Sequence, residues 1–370
     1  MTRSTRTFAD AATTGIVTLD GVEFSSPNRR SLLLGLAAVG AFLVTDIGLI
    51  AYASSGGDLT RQRFLDGFRN VFGVHPGFRK NHAKGVSLVG YFTSNGNATT
   101  LSRAAVFAPG QTPVLGRFSL AGGNPSVADT PGAARGLGLV FGLPGTDQWR
   151  TAMLNLPVFL DNSPQGFYDR LLAAKVDDAT GKPDPKAMAD FLQQHPETEA
   201  AMALIKKTSP TTGFADSTFS GLHTFHAVGR GGERTPIRWS LVPHQSAIAA
   251  QTGSPNGLFD AVIRQLKNGP LHWMLRLTVG EPDDPIDPTL PWPSGRRTVD
   301  AGILTVTEAR TDAAGNARDV NFDPLVLPDG LEPSNDPLLS ARSAVYAGSY
   351  RERTTEPQST PPVRVEDVNP

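Results

Sequence analysis

Five short apolar runs follow one another between Gly85 and Leu160, and each is cut off by glycine, proline, asparagine or aspartate before a long helix could form: VSLVGYF, AAVFA, PVLGRFSLA, RGLGLVF and AMLNLPVFL. Runs of this length and punctuation predict antiparallel strands of a sandwich or a barrel. Helical spacing flanks them. Phe64, Leu65, Phe68, Val71 and Phe72 recur at helical intervals within Asp58 to Phe72, and residues 164–209 read as helical (FYDRLLAAK, AMADFLQQ, PETEAAMALIKK). Strand character returns at 222–244 and 270–279, whereas EPDDPIDPTLPWP at 281–293 has too many prolines for a central strand and reads as a wrapping connection. The fold class expected is therefore α+β.

The ends of the chain read differently from its body. Residues 1–31 are polar, carry the pair Arg29-Arg30 and are expected to be disordered. Residues 32–53, LLLGLAAVGAFLVTDIGLIAYA, are about long enough to cross a bilayer as a helix. Basic residues before this stretch and none just after it put the N-terminus inside and the body outside the cytoplasm. Arg29-Arg30 followed by Ser-Leu-Leu resembles a twin-arginine export signal, and Ala51-Tyr52-Ala53 fits a small-x-small cleavage site. Asp46 argues against a simple span, since a carboxylate at mid-bilayer costs roughly 2.5–3.5 kcal/mol. A cleaved signal, an anchor touching the membrane only through 32–53, and a buried helix all stay open. Residues 58–353 form the expected domain, and 354–370 a polar tail. Among partners, nucleic acid is excluded by the balance of 34 basic and 35 acidic residues. The absence of cysteine excludes disulfides, iron–sulfur clusters and thiolate ligation.

The last predicted helix carries the sharpest chemical signal. Asp336-Pro337 is a strong start, with Asp a favoured N-cap and Pro favoured at the first helical position. Arg342 stands four residues before Tyr346 and Arg353 seven after it, so a phenol lies on one helical face with two guanidiniums. A fixed cation beside a phenol favours the phenolate, the form that would suit ferric iron. Without the surrounding sequence, this is equally a surface helix with ordinary arginines.

The surrounding sequence decides between them by resemblance. FDPLVLPDGLEPSNDPLLSARSAVY resembles the segment before the haem-ligating tyrosine of the catalases, F-x-P, G-[IL]-E-x-S and D-x-x-L-x-x-R-x-x-x-Y. The resemblance implies Tyr346 as the iron ligand, Arg342 on its phenolate and Arg353 on a haem propionate. RKNHAKG at 79–85 resembles the family's R-x-x-H-A-K-G, implying His82 as the distal catalytic residue and Arg79 on a propionate. A neutral imidazole suits that place, because breaking a peroxide O–O bond requires a proton to be moved from one oxygen to the other. GRFS at 116–119 is similar to the strand whose Arg holds a propionate and whose Ser bonds the distal His, which gives Arg117 and Ser119 those places. ADTPGAARGLGLVF, SGLHTF and DPTLPWP are similar to further family stretches in the same order. In the family a distal Asn precedes P-x-F-F. Here Asn155-Leu-Pro-Val-Phe is similar, but alignment on Pro157 sets Asn155 one place past the catalytic position, so Asn155 is either a stand-in or a strand residue. Phe159 is expected at the haem edge.

What the resemblance implies is a catalase-like antiparallel barrel with surrounding helices, holding haem b between barrel and last helix. The short pattern looks like the catalase-related peroxidases, a minimal branch. It implies reduction of hydrogen peroxide or organic hydroperoxides with a small organic reductant, and weak dismutation. Isomerisation of fatty-acid hydroperoxides and haem binding without turnover are the alternatives, and oligomer formation stays open.

Overall fold

The computed structural model describes residues 59–370, except 146, 178, 251 and 252, together with the backbone of 16–19 and 22–25. The expected signal or membrane segment at 32–53 lies outside the described residues. Within the stretch expected to be disordered, β1 (Ile16–Leu19) and β2 (Val22–Ser25) pair as a small antiparallel hairpin.

Eight strands close into an antiparallel barrel: β3 (Gly85–Ser94), β4 (Gly110–Leu120), β5 (Arg135–Gly142), β6 (Gln148–Leu154), β9 (Phe219–Ser220), β11 (Arg234–Pro243), β12 (Leu271–Val279) and β13 (Thr298–Arg310). Ring closure comes from β11 pairing with β12, Ile237 opposite Val279 through Pro243 opposite Trp273. The short strands β10 (Phe225–Val228) and β14 (Leu331–Pro333) extend the sheet beside β11, and β7 (Val176–Asp177) with β8 (Lys182–Pro183) forms a separate ribbon. The fold class is thus α+β, and closure leaves the barrel without a free edge.

Side chains alternate across each strand. On β4, Val114, Phe118 and Leu120 point into the barrel, where Phe118 stacks on Phe214 at 4.8 Å between ring centres and meets Trp273 at 5.9 Å. Trp149 fills the next layer against Phe141 at 4.7 Å and Trp239 at 5.2 Å. The interior is packed solid, so any ligand must bind outside the wall. The opposite parity, Leu115, Arg117 and Ser119, faces outward.

Among the described residues six helices surround the barrel: α1 (Arg61–Phe72), α2 (Pro164–Ala173), α3 (Pro185–Gln194), α4 (Pro196–Lys207), α5 (Gly257–Asn268) and α6 (Pro337–Thr355). Helix α6 starts as the sequence predicts, with Asp336 accepting a hydrogen bond from the Leu338 N–H at 2.9 Å and Pro337 in its first turn. Against the outer face of β3 to β6, Val89, Leu115 and Val140 meet Ala317, Val320 and Phe322, with Tyr346 of α6 packed against them. Two expectations are corrected. AAVFA forms a 3-10 turn at Ala105–Phe107, not a strand: Pro109 and Gly110 end the run before it can pair, and Val106 and Phe107 bury in the core. Residues 354–370 are not a free polar tail, because Val363 and Val368 are buried in the main core.

Candidate functional site

Between the outward face of β4 to β6 and helix α6 lies a cavity of about 300 Å³. It is mostly apolar and a few polar groups converge on it, the usual character of a cofactor or ligand site. The wall from the barrel brings Arg117, Ser119, Gly136, Gly138 and Ala152, while α6 brings Arg342, Tyr346, Ser349 and Arg353.

His82 stands over this space. Its φ of 57° is left-handed, a sparsely populated conformation for a residue with a Cβ. Such a backbone persists where neighbours fix it, and here both its peptide groups are held. The His82 N–H donates to Asn81 Oδ1 at 3.0 Å, and its carbonyl accepts from Arg117 Nη1 at 2.8 Å. Ser119 Oγ lies 3.0 Å from Nδ1, which leaves Nε2 as the ring nitrogen available to the cavity. Burial, reinforced by Arg117, Arg342 and Arg79, lowers the imidazole pKa from 6.5 to about 3, so the ring is neutral at ordinary pH.

Three guanidiniums gather at one end. Arg79 donates to the carbonyls of Ala317 and Val320, both at 2.9 Å. Arg353 donates to the carbonyls of Arg318 at 3.1 Å and Val320 at 2.8 Å. Arg117 binds Asp312 at 2.8 Å and braces the carbonyls of His82 and Ala83. Among the described residues neither Arg79 nor Arg353 has a carboxylate in ion-pair contact, and burial with mutual repulsion lowers both, Arg353 to about 9. Burial pushes Asp312 up, but Arg117 and Arg79 outweigh it and hold the carboxyl below its usual range. Of the three, Arg79 and Arg353 have no carboxylate in contact among the described residues and suit an anionic ligand.

On the α6 side, Arg342 Nη2 donates to the Tyr346 hydroxyl at 3.3 Å and to the Ala152 carbonyl at 3.2 Å. Behind it, buried His223 meets Asp336 at 2.6 Å, and burial lowers the His223 pKa despite that partner. Phe159 lines the cavity and stacks on Phe167 with 6.3 Å between ring centres. From the His82 side an apolar arm runs between α1 and α2, walled by Phe64, Phe68, Phe72, Phe167 and Leu171.

The structure therefore brings His82, Ser119, Arg79, Arg117, Arg342, Arg353, Phe159 and Tyr346 to one cavity. Asn155 is the exception. It is not part of the lining: its Oδ1 accepts from the Arg135 N–H at 2.7 Å, and its own N–H donates to the Arg135 carbonyl at 3.0 Å. Strand parity explains the correction. Ala152 and Leu154 share the outward face of β6, so the cavity receives Leu154 and the amide of Asn155 ties the strand end to β5. Sequence reasoning also missed Gly136 and Gly138. A Cβ at Gly136 would lie 2.7 Å from Ser119 Oγ and 3.0 Å from the His82 ring, and one at Gly138 would lie 2.8 Å from Phe322. The alternating glycines of RGLGL are the signal for close packing against that strand, here by Ser119, His82 and Phe322.

A flat, dianionic tetrapyrrole fits these residues: a mostly apolar cavity, Arg79 and Arg353 without ion-pair partners among the described residues for two carboxylates, and a phenol oxygen from α6 for a metal. A family model described as Catalase matches residues 77–256. The chain is similar to the catalase-related peroxidase of Synechococcus elongatus, 40% identical over 325 residues, covering 86% of this chain and 96% of that protein. It is 32% identical over 305 residues to the catalase-related peroxidase of Mycolicibacterium paratuberculosis, covering 80% and 96%. Among solved structures, a bacterial catalase superposes with a TM-score of 0.68 at 20% identity, covering 81% of this chain and 62% of that one, which speaks to the fold alone.

Proposed function

This chain belongs to the catalase family, and from that premise we propose that it is a haem-dependent peroxidase that reduces hydrogen peroxide or an organic hydroperoxide at the expense of a small organic reductant. The observation that carries the proposal is a neutral, braced imidazole facing the cavity opposite a helix that offers a phenol backed by a guanidinium. Haem b is the cofactor proposed. Tyr346 would hold its iron, and Arg79, Arg353 and Arg117 its carboxylates. When bound, it supplies the electrons that cleave the peroxide O–O bond.

The rest is the work of the chain. His82 Nε2 accepts a proton from the incoming peroxide and returns it to the departing oxygen, a transfer worth typically 10²–10⁴-fold in rate. Ser119 fixes the ring through Nδ1, so the proton is exchanged at one nitrogen only. Arg342 donates to the Tyr346 hydroxyl and so fixes where its oxygen points. Leu154 presents an alkyl side chain to the wall beside Gly136, and the phenylalanine-walled arm admits an apolar molecule. Purified protein loaded with haem should oxidise a phenolic dye in the presence of peroxide. Stoichiometric haem uptake without dye oxidation would reduce the proposal to a binding protein.

The domain is further proposed to work outside the cytoplasm, on the strength of Arg29-Arg30 and the apolar stretch 32–53. A reporter that functions only in the periplasm, fused after residue 60, should be active. Activity of a cytoplasmic reporter alone would refute this location.

A further inference from the structure

The segment after α6 grips two loops in succession. Glu356 accepts from the Gly77 N–H at 2.8 Å and pairs with Lys80 at 2.9 Å, and Ser359 Oγ donates to the Pro76 carbonyl at 2.9 Å. That loop carries Arg79. Farther on, Asn256 Nδ2 donates to the Pro362 carbonyl at 2.9 Å, Lys267 donates to the Val368 carbonyl, and Val363 and Val368 bury in the core. Between these two valines the turn Val365–Asp367 closes on Thr311. Thr311 Oγ1 donates to Glu366 Oε2 at 2.6 Å and accepts from the Val365 N–H at 2.9 Å.

The next residue is the one that matters to the cavity. Asp312 accepts from Arg117 Nε at 2.8 Å and from Ser87 Oγ at 2.9 Å. Arg117 in turn holds the carbonyls of His82 at 2.8 Å and Ala83 at 3.0 Å. Hydrogen bonds thus tie the terminal segment to Thr311, and, across the peptide link to the next residue, Asp312 to Arg117 and Arg117 to a histidine whose backbone needs external support. The same segment fixes the Arg79 loop from the other side. The Thr311–Glu366 contact lies at the surface, but buried Val363 and Val368 flank the turn that makes it, and Lys80 of the other contact is buried.

We propose that residues 356–368 are a latch across the guanidinium cradle, and that Thr311 is the positioning residue through which the latch sets Arg117 and His82. The inference rests on the reading that the cradle holds the carboxylates of haem. Releasing the latch lets the loops of Arg79 and Asp312 part, so haem leaves faster and Arg117 braces His82 less firmly.

The test is haem transfer from the holoprotein to excess apomyoglobin, followed optically, after haem uptake by the parent has been measured. Thr311→Val, which removes both hydrogen bonds of the hydroxyl, should speed release about tenfold. Thr311→Ser, which keeps the hydroxyl, should stay near the parent rate. A chain ending at Thr355 should lose haem faster still. If it fails to fold, the point variants decide. Ser102→Ala removes a buried hydrogen bond to the Gly330 carbonyl, outside the lining of the cavity, and serves as the control for simple destabilisation. Release from Thr311→Val at the parent rate, or equal acceleration by Ser102→Ala, would overturn the latch while leaving the peroxidase reading intact. A parent that takes up no haem overturns both.

Discussion

At the scale of single residues, His82 and Asn155 show what a motif can and cannot place. His82 was legible because its neighbours in sequence, Arg79 to Gly85, form a dense pattern. Its left-handed backbone and its brace by Arg117 were not, since they depend on a strand partner far along the chain. Asn155 failed for the opposite reason: a shift of one residue on a strand turns a side chain to the other face, and local similarity cannot choose between two adjacent positions. Asn155→Ala should therefore cost about 1–3 kcal/mol of stability through the unsatisfied Arg135 N–H, with turnover per bound haem unchanged. Denaturant unfolding beside dye oxidation separates the two, and a large loss of turnover at unchanged stability would return Asn155 to the site. A second prediction concerns acid. Because burial and three guanidiniums lower His82 from 6.5 to about 3, the unfolded chain binds its proton more readily and the fold loses stability as pH falls through that window. The apoprotein should lose more unfolding free energy between pH 7 and pH 5 than His82→Gln does. Equal losses would mean that His82 is not held neutral.

At the scale of elements, helix α6 was readable almost in full, because its cap, its first-turn proline and the Arg-Tyr-Arg spacing are all local. Its register makes a sharp prediction. Tyr346 and Tyr350 lie one turn apart, but only Tyr346 receives Arg342, while Tyr350 lies under the Arg353 guanidinium at 4.7 Å. Tyr346→Phe should remove the phenolate-to-iron charge-transfer band of the ferric holoprotein, and Tyr350→Phe should keep it; the reverse pattern would shift the helix by a turn. The segment after α6 was not readable. Its composition is polar, and three valines give no periodicity, so only the burial of Val363 and Val368 reveals that the stretch is anchored. The run AAVFA failed similarly, as an apolar pentamer fits a turn as well as a strand until its partner is known.

At the scale of the whole molecule, the order of strands and helices along the chain leaves a sandwich or a barrel open, the resemblance to the catalases implies the barrel, and closure of β11 on β12 completes it. Because the interior is filled by aromatic layers, the fold has one outer wall to offer a cofactor, and the glycines of β5 mark where it lies. What the sequence did not reveal is the character of the approach, which depends on how α1 and α2 face each other. Their phenylalanines make an apolar arm that leads to a distal side furnished with His82, Ser119 and an alkyl side chain at Leu154. That geometry serves one peroxide and an apolar electron donor better than two peroxides in turn. The direct measurement is oxygen release beside dye oxidation by the same haem-loaded protein at equal hydrogen peroxide concentration. Dye oxidation should dominate, with His82→Ala losing both by a factor of about 10²–10⁴. Rapid oxygen release with negligible dye oxidation would show a true dismutase in a smaller frame and contradict the account.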